Sequence, residues 1–172
     1  AYENDDTAHL YLKSINGDKK LSEKKKILKL IKDHKNITFD DSYCSYNKVM
    51  SMINQSDCYV SLHRAEGLGF GMAEAMLLQK PVIATNYSGN LEFMSKNNSL
   101  LVNYKLIKIN KNEYIHSKNQ HWADPDLDHA AFLMKKISDD KTLRVKISLN
   151  AKKTLENYSI EKMISEIQKI IR

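Results

Sequence analysis

A strand–loop–helix–strand pattern between residues 58 and 85 constrains the fold more than any other feature of the chain. Residues 58–63 form a run of apolar, aromatic and β-branched residues, which is typical of a strand. Residues 70–79 are mostly strong helix formers, and Lys80 and Pro81 end them. Residues 82–85 form a short apolar run, as expected for a strand covered on both faces. Because strands joined through a helix run parallel, the pattern predicts a β–α–β unit.

The same alternation extends in both directions along the chain. Before this unit it predicts strands over 9–13 and 36–39 and helices over 22–35 and 45–54. After it, we expect a short helix over 88–94, one or two strands within 99–109, a polar loop over 110–125, and helices over 126–140, 141–157 and 159–171. The pattern favours an α/β fold with a Rossmann-like parallel sheet and helices on both faces. Such sheets bind ligands at the carboxyl ends of their strands, which directs attention to the loops after Lys13, His63 and Thr85.

Composition and charge narrow the range of partners. The 172 residues suit one domain, and the net charge of +6, mostly lysine, fits either a solvated surface or attraction to an anionic partner. The basic runs lack interleaved aromatic residues and match no nucleic-acid motif, so no nucleic-acid partner is expected. No apolar run reaches the ~20 residues that span a bilayer, and the acidic first residues do not resemble a signal peptide. We therefore expect a cytoplasmic protein. Its two cysteines are too few for a disulfide scaffold.

The loop between the first strand and the helix of this unit has the character of an anion site. Gly67, Gly69 and Gly71 allow the backbone to approach a ligand closely, and the helix that follows presents unpaired amides at its N-terminus. Glu66 and Glu74 flank this point; as acids they suit hydroxyl groups on either side of a diphosphate. A nucleotide sugar carries such hydroxyls on its sugar and on its ribose. An ordinary loop-to-helix turn with exposed acids is the alternative.

The complete string of residues is more specific than any of its parts. Glu66 and Glu74 stand with seven residues between them, Ala75 and Met76 follow, and the run from Lys80 to Thr85 reads KPVIAT. With residues 88–92, SGNLE, this segment resembles the C-terminal domain of the retaining glycosyltransferases of family four, the glycosyl transferases group 1 family. The later WADPD at 122–126 is similar to a bacterial branch that makes surface polysaccharides. The resemblance covers most of the chain from Leu10 onward.

The resemblance implies one half of the two-domain GT-B glycosyltransferase fold. Residues 1–158 would be the Rossmann-like nucleotide-sugar-binding domain, with its first strand truncated, and residues 159–172 a C-terminal helix. The acceptor domain would precede Ala1 and is expected to be absent from this chain. The expected reaction is retaining transfer of a hexose from a nucleotide sugar to a glycan or lipid-linked acceptor, in polysaccharide synthesis and without metal or other cofactor. Peripheral association of the full-length enzyme with a membrane is compatible with this. The alternative is a non-catalytic nucleotide-binding or assembly module of the same fold.

The resemblance also assigns roles to individual residues. Glu66, the catalytic candidate, would bind hydroxyls of the transferred sugar, and Glu74 those of the ribose. The remaining donor-binding candidates are the cradle of Gly69, Phe70, Gly71 and Met72, the following loop residues Ser88, Gly89 and Asn90, and the cations Lys13 and Arg64. The family usually places an Arg and a Lys after the first strand of this domain, and no such pair precedes Leu10. Lys13 is a phosphate contact or a surface lysine, and Arg64 a phosphate contact or an ion-paired arginine.

Three further features have competing interpretations. Asp124-Pro125-Asp126 matches the Asp-x-Asp that holds a metal in another glycosyltransferase fold, but Asp126 fits better as the N-cap or first-turn acid of a helix. His63 is expected to be a histidine whose hydrogen bonds are satisfied within the fold. An apolar stripe at helical spacing near the C-terminus predicts core packing or a surface for another domain; it comprises Ile160, Met163, Ile164, Ile167, Ile170 and Ile171.

Overall fold

The computed structural model describes residues 1–2, 7–111, 113–159, 162 and 168–169. The chain divides into two compact units, residues 1–49 and residues 50–172, which are described separately. The predicted helix over 159–171, with its apolar stripe, lies mostly outside the described residues. No helix in the described part of the chain is long and apolar enough to span a bilayer.

The first unit contains two parallel strands and the helix that joins them. Strand β1, Leu10–Lys13, pairs with β2, Ile37–Asp40, in a register that aligns Leu10 with Ile37. A 3-10 turn at Gly17–Lys20 leads into helix α1, Leu21–Ile31. Helix α2, Tyr46–Gln55, begins in this unit and continues into the second. Both strands and both helices occur where the sequence pattern predicts them.

The second unit is built on a three-stranded parallel sheet. Strand β3, Tyr59–Ser61, is followed by helix α3, Phe70–Leu77, and by β4, Val82–Thr85. A 3-10 turn at Gly89–Glu92 precedes β5, Leu100–Val102, and the strand order is β3-β4-β5 with all pairs parallel. The predicted β–α–β unit is confirmed, and with it the α/β class.

Strand β4 is the centre of this sheet, and all four of its residues are buried. Ile83 belongs to an apolar cluster with Leu100 and Val102 of β5 and with Leu133 of helix α4, Leu127–Asp139. Since successive side chains of a strand point to opposite faces, Val82 and Ala84 face the other side, where α3 contacts β3 and β4. Helices therefore cover both faces of the sheet, as the apolar run of β4 predicts.

The prediction of a polar loop over residues 110–125 is wrong at its C-terminal end. Residues His121–Pro125 form strand β7, which pairs antiparallel with β6, Tyr104–Lys108. The apolar residues of the two strands stand opposite each other: Ile107 aligns with Trp122 and Leu106 with Ala123. Such cross-strand pairs stabilise a hairpin across a long polar connection, and no local sequence signal marks them.

Two helices complete the second unit, and aspartates cap both of them. The Asp126 carboxylate accepts a hydrogen bond from the backbone N–H of His129 at 2.9 Å, so the predicted N-cap of α4 is confirmed. Asp140 likewise accepts from Leu143 at 2.8 Å and caps helix α5, Lys141–Leu155, which ends in a 3-10 turn at Glu156–Tyr158.

Replacing Ile83 by Ala should lower the free energy of unfolding by about 2–5 kcal/mol, because the truncation leaves a cavity between β4 and α4. Urea denaturation of the purified chain measures this loss. Leu149→Ala on α5, where the side chain is 54% exposed, is the matched control and should cost much less. Equal losses for the two variants would contradict the position given to Ile83.

Candidate functional site

Helix α3 begins at a glycine that no other residue could replace without strain. Gly69 is the N-cap and has φ +91°, in the left-handed region. A Cβ on Gly69 would also lie 2.4 Å from the terminal methyl of Met72. The first intrahelical bonds run from Met72 and Ala73 to the Gly69 carbonyl, so the backbone amides of Phe70 and Gly71 precede the hydrogen-bonded helix. This N-terminus has the geometry of an anion site.

Two carboxylates flank this helix start. Glu66 is exposed in the loop before it, and Glu74 is half-buried in the helix. Among residues 7–111 and 113–159, neither carboxylate has a hydrogen-bond or ion-pair partner. Burial raises the pKa of the Tyr59 hydroxyl, and the charges of Glu74 and Glu66 raise it further. Both acids therefore lie within electrostatic reach of the same hydroxyl group and are free to accept hydrogen bonds from a ligand.

Hydrogen bonds of the Glu66 backbone join its loop to the loop after β4. The Ser88 hydroxyl donates to the Glu66 carbonyl at 2.7 Å and accepts from the Glu66 N–H at 3.2 Å. The Gly89 N–H donates to the same carbonyl at 3.2 Å. A Cβ on Gly89 would lie 1.9 Å from the Gly67 carbonyl oxygen, so the two loops touch where glycine alone fits. The structure thus brings Glu66, Ser88 and Gly89 together, as the sequence predicts.

His63 adds a second link between the same two loops. Its Nε2 lies 3.0 Å from the Tyr87 carbonyl oxygen, and its Nδ1 lies 3.1 Å from the Ser61 hydroxyl. Because a carbonyl oxygen only accepts, Nε2 donates to Tyr87, and Nδ1 shares the second hydrogen bond with the Ser61 hydroxyl. The Thr85 hydroxyl donates to the His63 carbonyl at 2.7 Å. The prediction of a satisfied histidine is confirmed.

Several predicted donor-binding residues pack beneath the surface of the two loops. The side chains of Met72 and Asn90 are buried. The Asn90 amide donates to the Thr85 carbonyl at 3.1 Å, while its buried Oδ1 has no hydrogen-bond partner in the described ranges of the chain. A Cβ on Gly71 would lie 2.5 Å from the Tyr59 hydroxyl, so this glycine makes room for Tyr59. Phe70, by contrast, is 71% exposed at the helix start.

The two cationic candidates are both held by other groups of the chain. Lys13, in the first unit, donates to the carbonyls of Ser14, Asp40 and Ser42, which uses all three of its N–H groups. In the second unit, Arg64 forms an ion pair with Asp124 at 2.9 Å. The ion-paired alternative for Arg64 is therefore the one that the structure contains.

The two aspartates of the Asp-x-Asp sequence are not arranged to bind one metal ion together. Asp124 pairs with Arg64 and Asp126 caps α4, so the two carboxylates serve different elements. Within the described ranges, no three His, Cys, Asp or Glu side chains lie where they could share a metal ion.

Sequence reasoning missed the residues whose partners are distant in the chain. Tyr59 lies against Gly71, Tyr87 accepts from His63, and Trp122 lies beside Arg64. No spacing in the sequence marks these contacts.

Gly89→Ala should destabilise the second unit by about 1–3 kcal/mol, because the added methyl group forces the Gly67 backbone away. Gly67→Ala is the control: a Cβ there meets nothing within 4 Å. Urea denaturation compares the two variants. A Gly89→Ala protein as stable as Gly67→Ala would show that the loops do not touch as described.

Comparison with solved structures supports the fold. The C-terminal domain of a glycosyl transferase group 1 family protein (LpcC) from Francisella tularensis superposes with TM-score 0.58 and 23% identity, covering 84% of this chain and 65% of that chain. Anabaena HepE, solved in complex with UDP-glucose, has TM-score 0.67 and 14% identity, covering 95% of this chain and 40% of that chain. A glycosyltransferase from Rickettsia africae has TM-score 0.62 and 20% identity, covering 96% and 40%. This chain thus spans under two thirds of each of these relatives.

Comparison of the sequence alone identifies the family. No curated protein sequence was found to match the chain. The sequence model of the glycosyl transferases group 1 family matches residues 14–154, which include parts of both units and both loops at the start of α3. Because this match extends over most of the 172 residues, the chain belongs to the glycosyl transferases group 1 family.

Proposed function

We propose that this chain is the donor-binding half of a two-domain glycosyltransferase that transfers a hexose from a nucleotide sugar with retention of configuration. The observation that carries the proposal is the pair of carboxylates, Glu66 and Glu74, on either side of the glycine-capped start of α3, neither of which has a partner among the described residues. Three groups of a nucleotide sugar match this arrangement in order: sugar hydroxyls, diphosphate and ribose hydroxyls. The solved structure of HepE with UDP-glucose supports a nucleotide-sugar donor for this fold.

The diphosphate is assigned to the backbone at the start of α3. The amides around Phe70 and Gly71 and the positive end of the helix dipole stabilise the charge that builds up on the departing diphosphate. Gly69 lets the chain turn into the helix, and the side chain of the buried Met72 packs against this glycine. Since Lys13 and Arg64 are engaged elsewhere, the proposal gives the first contact with phosphate to the amides. No metal or other cofactor enters this scheme.

Glu66 is assigned to the transferred sugar and Glu74 to the ribose. A carboxylate that accepts hydrogen bonds from sugar hydroxyls orients the anomeric carbon toward the acceptor. Ser88 and Gly89 hold the Glu66 backbone, and Asn90 supports them. We further propose that the acceptor is a glycan or a lipid-linked glycan in polysaccharide synthesis, held by a second domain. In this proposal the enzyme works in the cytoplasm and associates with the membrane surface through its lipid-linked acceptor.

Glu74→Ala should weaken the binding of nucleoside diphosphates by about 0.5–1.5 kcal/mol, because it removes a hydrogen bond to ribose. Isothermal calorimetry with UDP and GDP on the natural full-length protein measures the change. Glu156→Ala, at the end of α5, is the matched control. Unchanged affinity for every nucleotide that binds the wild type would remove Glu74 from the site.

Glu66→Gln should lower turnover much more than it lowers affinity for the free nucleoside diphosphate, because the lost contact is to the transferred group. Sugar transfer from a panel of nucleotide sugars provides the assay. Glu92→Gln, an exposed acid in the nearby 3-10 turn, is the control and should keep wild-type turnover. A Glu66→Gln enzyme with full turnover would overturn the catalytic assignment, and a wild type that binds donor without transfer would favour a non-catalytic module.

A further inference from the structure

The segment from His63 to Glu66 lies outside regular secondary structure, so its position depends on contacts with other elements. The loop after β4 holds its two ends: His63 binds the Tyr87 carbonyl, and the Glu66 backbone binds Ser88 and Gly89. Arg64, between these ends, is held by a different element. Its contacts come from the β6–β7 hairpin.

The hairpin makes three kinds of contact with Arg64. The Ala123 N–H donates to the Arg64 carbonyl at 2.9 Å. The Asp124 carboxylate accepts from the guanidinium at 2.9 Å, and the guanidinium carbon lies 5.1 Å from the centre of the Trp122 ring. Backbone, charge and stacking contacts therefore come from three successive residues of one strand. A guanidinium makes the last two together readily, because an N–H at its edge bonds to the carboxylate while its face is free to lie against a ring.

The hairpin is anchored well enough to serve as a support. At its base, the Asp126 N–H donates to the Asn103 carbonyl at 2.8 Å, and Ala123 is fully buried. Toward its tip, the Ile109 N–H donates to the Gln120 carbonyl at 3.0 Å. Glu113, beyond that pair, has its pKa lowered by hydrogen bonds from Asn110 and then by the charge of Arg64. Acidic groups of both the strand and the connecting loop thus act on the Arg64 guanidinium.

We propose that Arg64 is a positioning residue through which the β6–β7 hairpin places Glu66 on the sugar of the donor. This inference rests on the proposed function of Glu66. Arg64 precedes Glu66 by two residues, so a shift of the Arg64 backbone is passed directly to the carboxylate. An exposed ion pair adds little to folding stability, whereas a misplacement of about 1 Å at a reacting group can cost 100-fold in rate. Loss of the Arg64 side chain therefore affects turnover more than stability.

The first test separates positioning from direct contact with phosphate. In the natural full-length protein, Arg64→Ala should lower turnover by about 10- to 100-fold while the affinity for UDP stays within about twofold. Arg64→Lys should recover part of the turnover, because it keeps the charge beside Asp124. Asp124→Asn should lower turnover as well, with Asp128→Asn, an exposed acid in the first turn of α4, as its matched control.

A second control distinguishes this role from a merely structural one. Arg144 of α5 donates to the carbonyls of Ile137 and Ser138 of α4 and so links these two helices. Arg144→Lys should reduce thermal stability and leave turnover per folded molecule unchanged. Arg64→Ala should show the opposite pattern.

Trp122 is the chain's one tryptophan, so its fluorescence reports on the hairpin directly. Arg64→Ala should shift its emission to the red and increase its quenching by acrylamide, because the guanidinium no longer covers the ring. Unchanged emission and quenching would overturn the proposal, since the Trp122 ring of the hairpin would then not be in contact with the Arg64 guanidinium.

The kinetic outcomes are equally decisive. A large loss of UDP affinity in Arg64→Ala would make Arg64 a phosphate ligand, and wild-type turnover in that variant would make it irrelevant; either result overturns the positioning role. If the wild type itself transfers no sugar, the proposed function fails and this inference fails with it. Failure of the inference alone is recognised by an active wild type with an equally active Arg64→Ala enzyme.

Discussion

Burial of β4 on both faces is the constraint on which the second unit depends. A strand with no exposed side needs a helix on each face and a parallel neighbour on each edge, and α3, α4, β3 and β5 meet this need. Parallel strands end at the same edge of the sheet. The strand arrangement alone therefore makes the loops after β3 and β4 neighbours, and the site lies at that edge.

The site is made largely from backbone groups. Ser88 binds both the N–H and the carbonyl of Glu66, and the Gly89 amide binds the same carbonyl. At the close approach of Gly89 to Gly67, a single methyl group is too large. Within the part of the chain that the structure describes, such an arrangement leaves the carboxylates of Glu66 and Glu74 without partners. Free acceptors beside a helix N-terminus suit a ligand that has hydroxyls on both sides of an anion.

The hairpin shows how a surface element can become part of such a site. Strands β6 and β7 add nothing to the parallel sheet, but β7 places Trp122, Ala123 and Asp124 around Arg64. The loop that carries Glu66 is thereby held from two sides, by the residues after β4 and by the hairpin. Arg64, a candidate phosphate ligand on sequence grounds, binds within the chain instead.

What could be predicted from the sequence follows from local physics. The apolar run of β4, the helix formers of α3 and the cap at Asp126 depend on residues close together in the chain, and all three were confirmed by the structure. The position of Glu66 and Glu74 relative to α3 also follows from residues close together in the chain. The partners of Arg64, His63 and Tyr59 were not predictable, because they lie about 12 to 60 residues away and come close only when the sheet, the loops and the hairpin pack together. The same is true of β7, whose partner strand stands across a polar connection. Periodicity and capping thus specify the elements, whereas burial and loop contact specify which charges remain free for a ligand.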